Sequence, residues 1–297
     1  MTVSPPSNAP VVVRTRGELE ALLRPRRDSG ARIGLVPTMG ALHVGHVALF
    51  DEARAGCDLV VASIFVNPMQ FAPTEDLDRY PRSFDSDLEI CARHGVDVVF
   101  APSVEDVYPG GTPQVTVDPG PLAETLEGAV RPGHFRGVLT VVAKLFGLVR
   151  PDVAVFGEKD YQQLVLIRRM VADLCQDIEV RAAATVREPD GLAFSSRNHY
   201  LSTAERRTAL ALGRALAAGA AVGEAGAATV LATAQQELEG GTDVEVDYLA
   251  LRDVDLGEPP DHGPARLLVS ATVGTTHLVD NVAVELGRPP ATSEDSS

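Results

Sequence analysis

Ile33-Gly-Leu-Val36-Pro37-Thr-Met-Gly40-Ala-Leu-His43-Val-Gly-His46 is the stretch on which the fold turns. An apolar run ending at Val36 reads as a strand. The Pro37-Thr38-Met39-Gly40 turn then hands the chain to a helical segment carrying two histidines. In an open parallel sheet, ligands collect beyond the carboxyl ends of the strands. There the next helix points its free N–H groups and positive dipole end outward, which favours phosphate. Gly40 and Gly45 permit close backbone approach. His43 and His46 are expected on one helical face, so that both reach one phosphate chain. Donors aimed where charge builds up would stabilise pyrophosphate departure. The plainer reading, surface histidines or half of a metal pair, loses ground because the pair directly follows a strand and its turn.

Working outward, the same rhythm repeats. Apolar runs at Leu59–Val66, Val96–Phe100, Val153–Phe156 and Ile178–Val186 alternate with helical stretches. One stretch, from Ser83 to His94, sets Phe84, Leu88 and Cys91 on one face. Another, after Asp160, spaces Leu164, Ile167, Val171 and Leu174 at i, i+3, i+7 and i+10. Continuous apolar strands between helices predict a parallel sheet covered on both faces, hence an α/β, doubly wound, Rossmann-like domain. Segment 102–136 breaks the pattern with Pro and Gly and reads as an insertion or flap, with a hairpin around Val115–Val117. Composition shifts near residue 187. An alanine-rich helical region, 203–240, precedes strand-like runs at Val244–Leu251, Arg266–Val273 and Asn281–Leu286. The expectation is a Rossmann-like domain over 1–186 and a smaller α+β domain over 187–297, with 1–10 and 288–297 disordered.

The chain of 297 residues is 45% hydrophobic, enough to bury a sizeable core. Its net charge of −15 argues against a nucleic-acid surface. A few cations in a cleft can still hold an anionic small molecule. Cys57, Cys91 and Cys175 lie far apart without a CxxC pair, which suits a reducing compartment rather than a disulfide framework or a zinc site. Neither a basic-then-apolar leader nor an apolar run of about 20 residues is visible, so the expected location is the cytoplasm, without a membrane partner.

Three further segments carry chemistry. Phe156-Gly157-Glu158-Lys159-Asp160 joins a strand to a helix, and Lys159 is a mobile cation suited to phosphate. Asp160 as a plain helix cap is the competing account. Phe194-Ser195-Ser196-Arg197-Asn198 gathers hydroxyls and a guanidinium that can grip phosphate, though alone it is an ordinary polar loop. Phe65-Val66-Asn67-Pro68-Met69-Gln70-Phe71 closes a strand with two amides among apolar side chains, a mix found in small polar-ligand pockets. Gln163 shares a helical face with Asp160, a buried satisfied glutamine being the alternative. Asp85 and Asp87 either serve Mg²⁺ or simply complement a helix dipole, and the second reading is favoured. A P-loop, a clear GxGxxG and a GxSxG elbow are all missing.

Taken in order, PTMGALHVGH, SIFVNPMQF, GEKDYQQL and SSRN resemble the pantothenate synthetases of the nucleotidylyltransferase superfamily, over most of residues 30–286. HxGH is shared across that superfamily, whereas VNPMQF and GEKDYQQL are more particular to this branch. The resemblance implies that pantoate's carboxylate attacks the α-phosphorus of ATP. The resulting pantoyl-adenylate is then taken by β-alanine, giving pantothenate and AMP. It implies an ATP site made of Met39, Gly40, Ala41, Leu42, His43, Val44, Gly45, His46, Gly157, Glu158, Lys159, Asp160, Val186, Phe194, Ser195, Ser196 and Arg197. His43, His46 and Lys159 would serve the transition state. Asn67, Gln70 and Gln163 would hold substrate, and Arg131, His134, Val141 and Val142 would wall the pantoate pocket. Asp87 would lie near Mg²⁺, and the family is typically a homodimer. The chain departs from the pattern at Val44, at Phe194 in place of Met, and at Ser86 in place of a second acid. The rival readings are a nucleotidyltransferase acting on a phosphate ester, a class I aminoacyl-tRNA synthetase, and a non-catalytic nucleotide-binding protein. Asn67 and Gln70 suit hydroxyls and a carboxylate better than a second phosphate. The chain has no obvious tRNA-binding extension, and mere binding leaves three phosphate-suited loops unexplained.

Overall fold

The computed structural model describes residues 9–72, 77, 83–240 and 244–287. Apart from Ala9 and Pro10, the disorder expected at the two ends falls outside the described residues. The chain divides into two compact units. The first runs to Val186 and takes back Phe194–Ser196, while the second holds Arg187–Ala193 and the chain from Arg197.

The first unit is a parallel sheet of β1 (Val11–Val13), β2 (Ile33–Thr38), β3 (Leu59–Ile64), β4 (Val98–Phe100), β5 (Val153–Gly157) and β6 (Glu179–Ala183), in the order β1-β4-β3-β2-β5-β6. Around it lie α1 (Arg16–Asp28), α2 (Val44–Arg54), α3 (Phe84–Arg93), α4 (Val104–Val107), α5 (Glu127–Val130), α6 (His134–Val149) and α7 (Tyr161–Asp173). Val60, Val61 and Ala62 of β3 are wholly buried although successive side chains face opposite ways, so helices cover both faces as the continuous apolar runs predict. Each buried valine contributes roughly 1.5–3 kcal/mol relative to exposure. The expected doubly wound α/β architecture is thus the observed one. Its direction reverses between β2 and β5, which pair through Gly34↔Val153 and Leu35↔Ala154. Loops leaving the carboxyl ends of these two strands face the crevice where such folds bind ligands.

Three local expectations need correction. The hairpin around Val115–Val117 is absent: Val115 is 86% exposed, and the Val117 N–H donates to Thr140 Oγ1 of α6 instead of to a partner strand. Three alternating residues without a neighbour to pair with do not make a hairpin. In α7, Leu164 and Ile167 are buried, but Met170 replaces Val171 in the core and Leu174 is 54% exposed. The helix ends at Asp173, one residue before the last predicted contact. β1 was not anticipated. It is a short edge strand with Val11 half exposed, and its pairing to β4 cannot be seen in three residues.

The second unit carries α8 (Thr203–Ala221) and α9 (Ala227–Glu239) beside an antiparallel sheet of β7 (Glu245–Asp253), β8 (Gly263–Val273) and β9 (Thr276–Leu286). Leu212, Leu216 and Val230 of the helices meet Leu251, Leu267 and Val269 of the sheet in one core. α8 starts at a reciprocal cap, Ser202 with Glu205. Among the described residues, no helix is long and apolar enough to cross a membrane.

Candidate active site

The two histidines form one device at the start of α2, and its geometry differs from the expected helical face. His43 precedes the helix as its N-cap, with extended backbone (φ −144°, ψ 179°), and His46 is the third helical residue. The Gly45 N–H donates to His43 Nδ1 at 3.1 Å, and the His43 N–H donates to His46 Nδ1 at 3.2 Å. This is a capping box built from imidazoles. Because each Nδ1 accepts, Nε2 is the nitrogen left to donate in both rings. The ring centroids stand 4.2 Å apart. Burial, reinforced by His43, pushes His46 down to about 3, with Asp160 opposing and Lys159 adding to the shift. His46 is therefore neutral at pH 7, and it feels the charges of the loop that follows β5.

The loop before this cap is held by Asp87. Gly40 and Ala41 both adopt left-handed backbone, at φ 84° and 51°, a conformation that costs alanine about 1–2 kcal/mol. The Ala41 N–H donates to Asp87 Oδ2 at 3.0 Å and the Leu42 N–H to Oδ1 at 2.8 Å, while the Ser83 hydroxyl donates to Oδ1 at 3.1 Å. Asp87 is 1% exposed. These bonds make Asp87 a clamp on the 40–42 backbone. Among the described residues, no group of three His, Cys, Asp or Glu side chains is placed to hold a metal.

Asn67 is likewise turned inward. It is 1% exposed, and its Oδ1 accepts from the Tyr108 hydroxyl at 2.8 Å and from the Met69 N–H at 3.3 Å. Its Nδ2 donates to Gly137 O and to Gln70 Oε1, both at 3.1 Å. With both ends of the amide engaged, Asn67 acts on Gln70 rather than on a ligand, correcting the expectation of direct substrate contact. Gln70 Nε2 reaches Met39 Sδ at 3.1 Å, which brings the turn after β3 to the loop after β2. Gln70 O is held by His134 Nδ1 at 2.9 Å and by Arg131 at 3.4 Å. Val141 and Val142 are buried in α6. A Cβ on Gly137 would lie 2.2 Å from Met69 O and 2.7 Å from Gln70 Cα. Gly137→Ala is expected to cost about 1–3 kcal/mol through overpacking. A lowered urea midpoint checks this, and an unchanged midpoint would mean that the turn yields freely.

The third segment joins the same cluster. Gly157, Glu158, Lys159 and Asp160 lie where β5 meets α7, and Lys159 Nζ stands 3.3 Å from Asp160 Oδ1. The Phe194 N–H donates to Val186 O at 3.0 Å, and the Phe194 ring stacks on His43 with centroids 6.0 Å apart at 23°. Ser195 and Ser196 follow in the same unit, whereas Arg197 belongs to the second, on the 3-10 turn Ser196–Tyr200. Val44 is 44% exposed on the first turn of α2. The glutamine pair divides the two roles considered for Gln163. Gln162, 4% exposed, donates to Leu122 O and Thr125 O and accepts from Glu127 N. The half-buried Gln163 makes no side-chain hydrogen bond among the described residues. Tyr108 and Gly137 escape a reading of the sequence because their partner Asn67 is distant in the chain, 41 and 70 residues away.

The family model described as pantoate-beta-alanine ligase matches residues 11–283. A pantothenate synthetase of Nocardioides sp. is 59% identical, over 96% of this chain and 89% of its own length. That of Salinispora arenicola is 56% identical, over 93% and 98%. Among solved structures, pantothenate synthetase from Thermus thermophilus superposes with a TM-score of 0.86 at 47% identity, covering 92% of this chain and 98% of that one. Pantoate-beta-alanine ligase from Francisella tularensis, complexed with beta-gamma ATP and beta-alanine, gives 0.77 at 32% identity, over 92% and 97%. A match across nearly the whole length, together with the paired histidine cap and the Gln70 turn, places the chain in the pantoate–β-alanine ligase family, as an enzyme.

Proposed function

We propose that the chain joins pantoate to β-alanine with consumption of ATP, through a pantoyl-adenylate. A pantoate carboxylate oxygen attacks the α-phosphorus, the bond to the bridging oxygen breaks, and pyrophosphate leaves. The neutral amine of β-alanine then attacks the acyl carbon, AMP departs, and the amine proton is released to solvent. The observation that carries this reading is the reciprocal histidine cap, which sets two imidazoles side by side on the loop leaving β2, at the sheet's switch point. His43, neutral His46 and the cation of Lys159 stabilise charge growing on the departing phosphates. Gln70 and Gln163 hold pantoate, with Gln70 also near β-alanine. Arg131 and His134 brace the Gln70 backbone. Met39 to His46, Gly157 to Asp160, Val186 and Phe194 to Arg197 bind ATP. Positioning of the reactants and exclusion of water from the mixed anhydride supply the rest.

The bound nucleotide and β-alanine of the Francisella relative support two of the three substrates. Magnesium enters as the counter-ion of ATP, carried on its phosphates. The working form is a cytoplasmic homodimer.

The test is purified protein with ATP, Mg²⁺ and pantoate, with and without β-alanine, following pyrophosphate and AMP separately. Pyrophosphate formed with pantoate alone, and AMP release that needs β-alanine, are the expected results. ATP binding with no turnover of pantoate would refute the substrate assignment. Transfer of AMP to a phosphate ester would point to the nucleotidyltransferase reading.

A further inference from the structure

We propose that Tyr108 is a positioning residue for the acid substrate, acting through Asn67 to hold the Gln70 amide with its donor end toward the ligand. The inference rests on the pantoate role of Gln70 given above. An amide side chain has a donor end and an acceptor end of nearly equal shape, so a glutamine in a pocket needs a neighbour to fix its polarity.

Here the neighbours form a chain with one direction. The Met69 N–H can only donate and Gly137 O can only accept, so Asn67 must turn Oδ1 to the first and Nδ2 to the second. The second proton of Nδ2 then goes to Gln70, which must present Oε1 to it. Gln70 Nε2 is left pointing the other way, toward Met39 Sδ, as a donor. A donor there suits an oxygen of a carboxylate or hydroxyl.

Tyr108 closes the chain at its far end by donating to Asn67 Oδ1 at 2.8 Å. Tyr108 is 3% exposed, and burial raises its phenol well above the ordinary range, so it keeps the proton it donates. The ring is fixed independently of the site. Arg16 of α1 donates to Asp106 O at 2.7 Å and to Val107 O at 3.1 Å, the two carbonyls just before Tyr108. Lys144 Nζ lies 5.4 Å from the ring centroid, and the Phe65 ring lies 6.1 Å away. The phenol is therefore a fixed peg, and the 102–136 segment reaches the site through it.

Tyr108→Phe keeps the ring and removes one hydrogen bond. The expected result is a rise of about tenfold in KM for pantoate, with KM for ATP within about twofold of the parent. In a Gln70→Ala background the same change is expected to add nothing, because its target is gone. Equal rises in both KM values, or effects of Tyr108→Phe and Gln70→Ala that multiply, would overturn the proposal. Gln70→Glu reads the polarity separately. It places a carboxylate oxygen where Nε2 stood, so KM for pantoate should exceed that of Gln70→Ala, and an equal or lower value would overturn the donor assignment. Wild-type turnover of pantoate is the control: its absence removes the substrate reading itself, whereas its presence with multiplying effects removes only the role of Tyr108.

Discussion

Pyrophosphate release from ATP and pantoate is expected to fall by about 10²–10³-fold in His46→Ala, the usual cost of deleting one donor to a transition-state oxygen. The physical reason is specific to this cap. His46 accepts the His43 N–H through Nδ1, so its remaining proton sits on Nε2. Burial keeps the ring neutral, at about 3, so it donates without itself titrating across the working range. The rate profile between pH 5 and 8 should therefore carry no limb that His46→Ala abolishes. Stability shows the opposite sensitivity. An unfolded histidine takes a proton near pH 6.5, whereas His46 in the fold resists it until about 3, so the unfolded state binds more protons between those values. Stability from this residue is complete above pH 6.5 and falls as the pH drops toward 3. The parent's urea midpoint should consequently decline more steeply below pH 6.5 than that of the variant. Loss of the cap costs His46→Ala about 1 kcal/mol at neutral pH, too little to unfold a domain of this size. Near-normal pyrophosphate release would remove the histidines from the mechanism.

How much of this was legible in the sequence depends on the range of the interaction concerned. The strand–turn–histidine stretch, the parallel sheet and the three phosphate-suited loops depend on local apolar runs and on Gly and Pro, and these survive in a single sequence. The histidine geometry escapes the sequence for a local reason. An imidazole with an accepting Nδ1 can cap a helix as Asp or Ser does, but histidine lies outside the usual cap residues, so the helix reads as including His43. The chemistry of Asn67 and Asp87 fits both a pocket and a scaffold. What decides between these is burial, at 1% exposure each, and that is set by α6, by Tyr108 and by the 40–42 backbone. Those partners are remote in the chain, so no spacing rule announces them. α6 enters the sequence analysis only through His134, Val141 and Val142, as walls of a pocket implied by the family resemblance. Phe135, Val138, Leu139, Val141, Val142, Leu145 and Phe146 are all buried in it.

Asp87→Asn is the change expected to be most damaging to the fold around the site, and it separates a loop clamp from a metal ligand. The carboxylate accepts two backbone N–H groups and one hydroxyl, and it carries no donor. An asparagine can keep its oxygen on Leu42 and Ser83, but its NH₂ then meets the Ala41 N–H, donor against donor. The reversed amide sets its NH₂ against the Leu42 N–H in the same way. A bond to a charged acceptor is worth about 1.5–3 kcal/mol, and the left-handed backbone of Ala41 loses its restraint at the same step. A loss of about 3 kcal/mol corresponds to a fall of roughly 6–12 °C in Tm. ATP binding measured by calorimetry should weaken at least tenfold, since Ala41 and Leu42 lead directly into the His43 cap. The Mg²⁺ concentration needed for half-maximal rate at saturating ATP should stay that of the parent, because Asp87 is occupied by the loop. A magnesium ligand would give the reverse pattern, with stability and ATP-free structure intact and the Mg²⁺ requirement raised. Ser86, beside Asp87, offers no second carboxylate to rescue such a site. Calorimetric titration of the parent with Mg²⁺ alone should accordingly show no heat of binding that Asp87→Asn removes, and such a heat would return Asp87 to the metal.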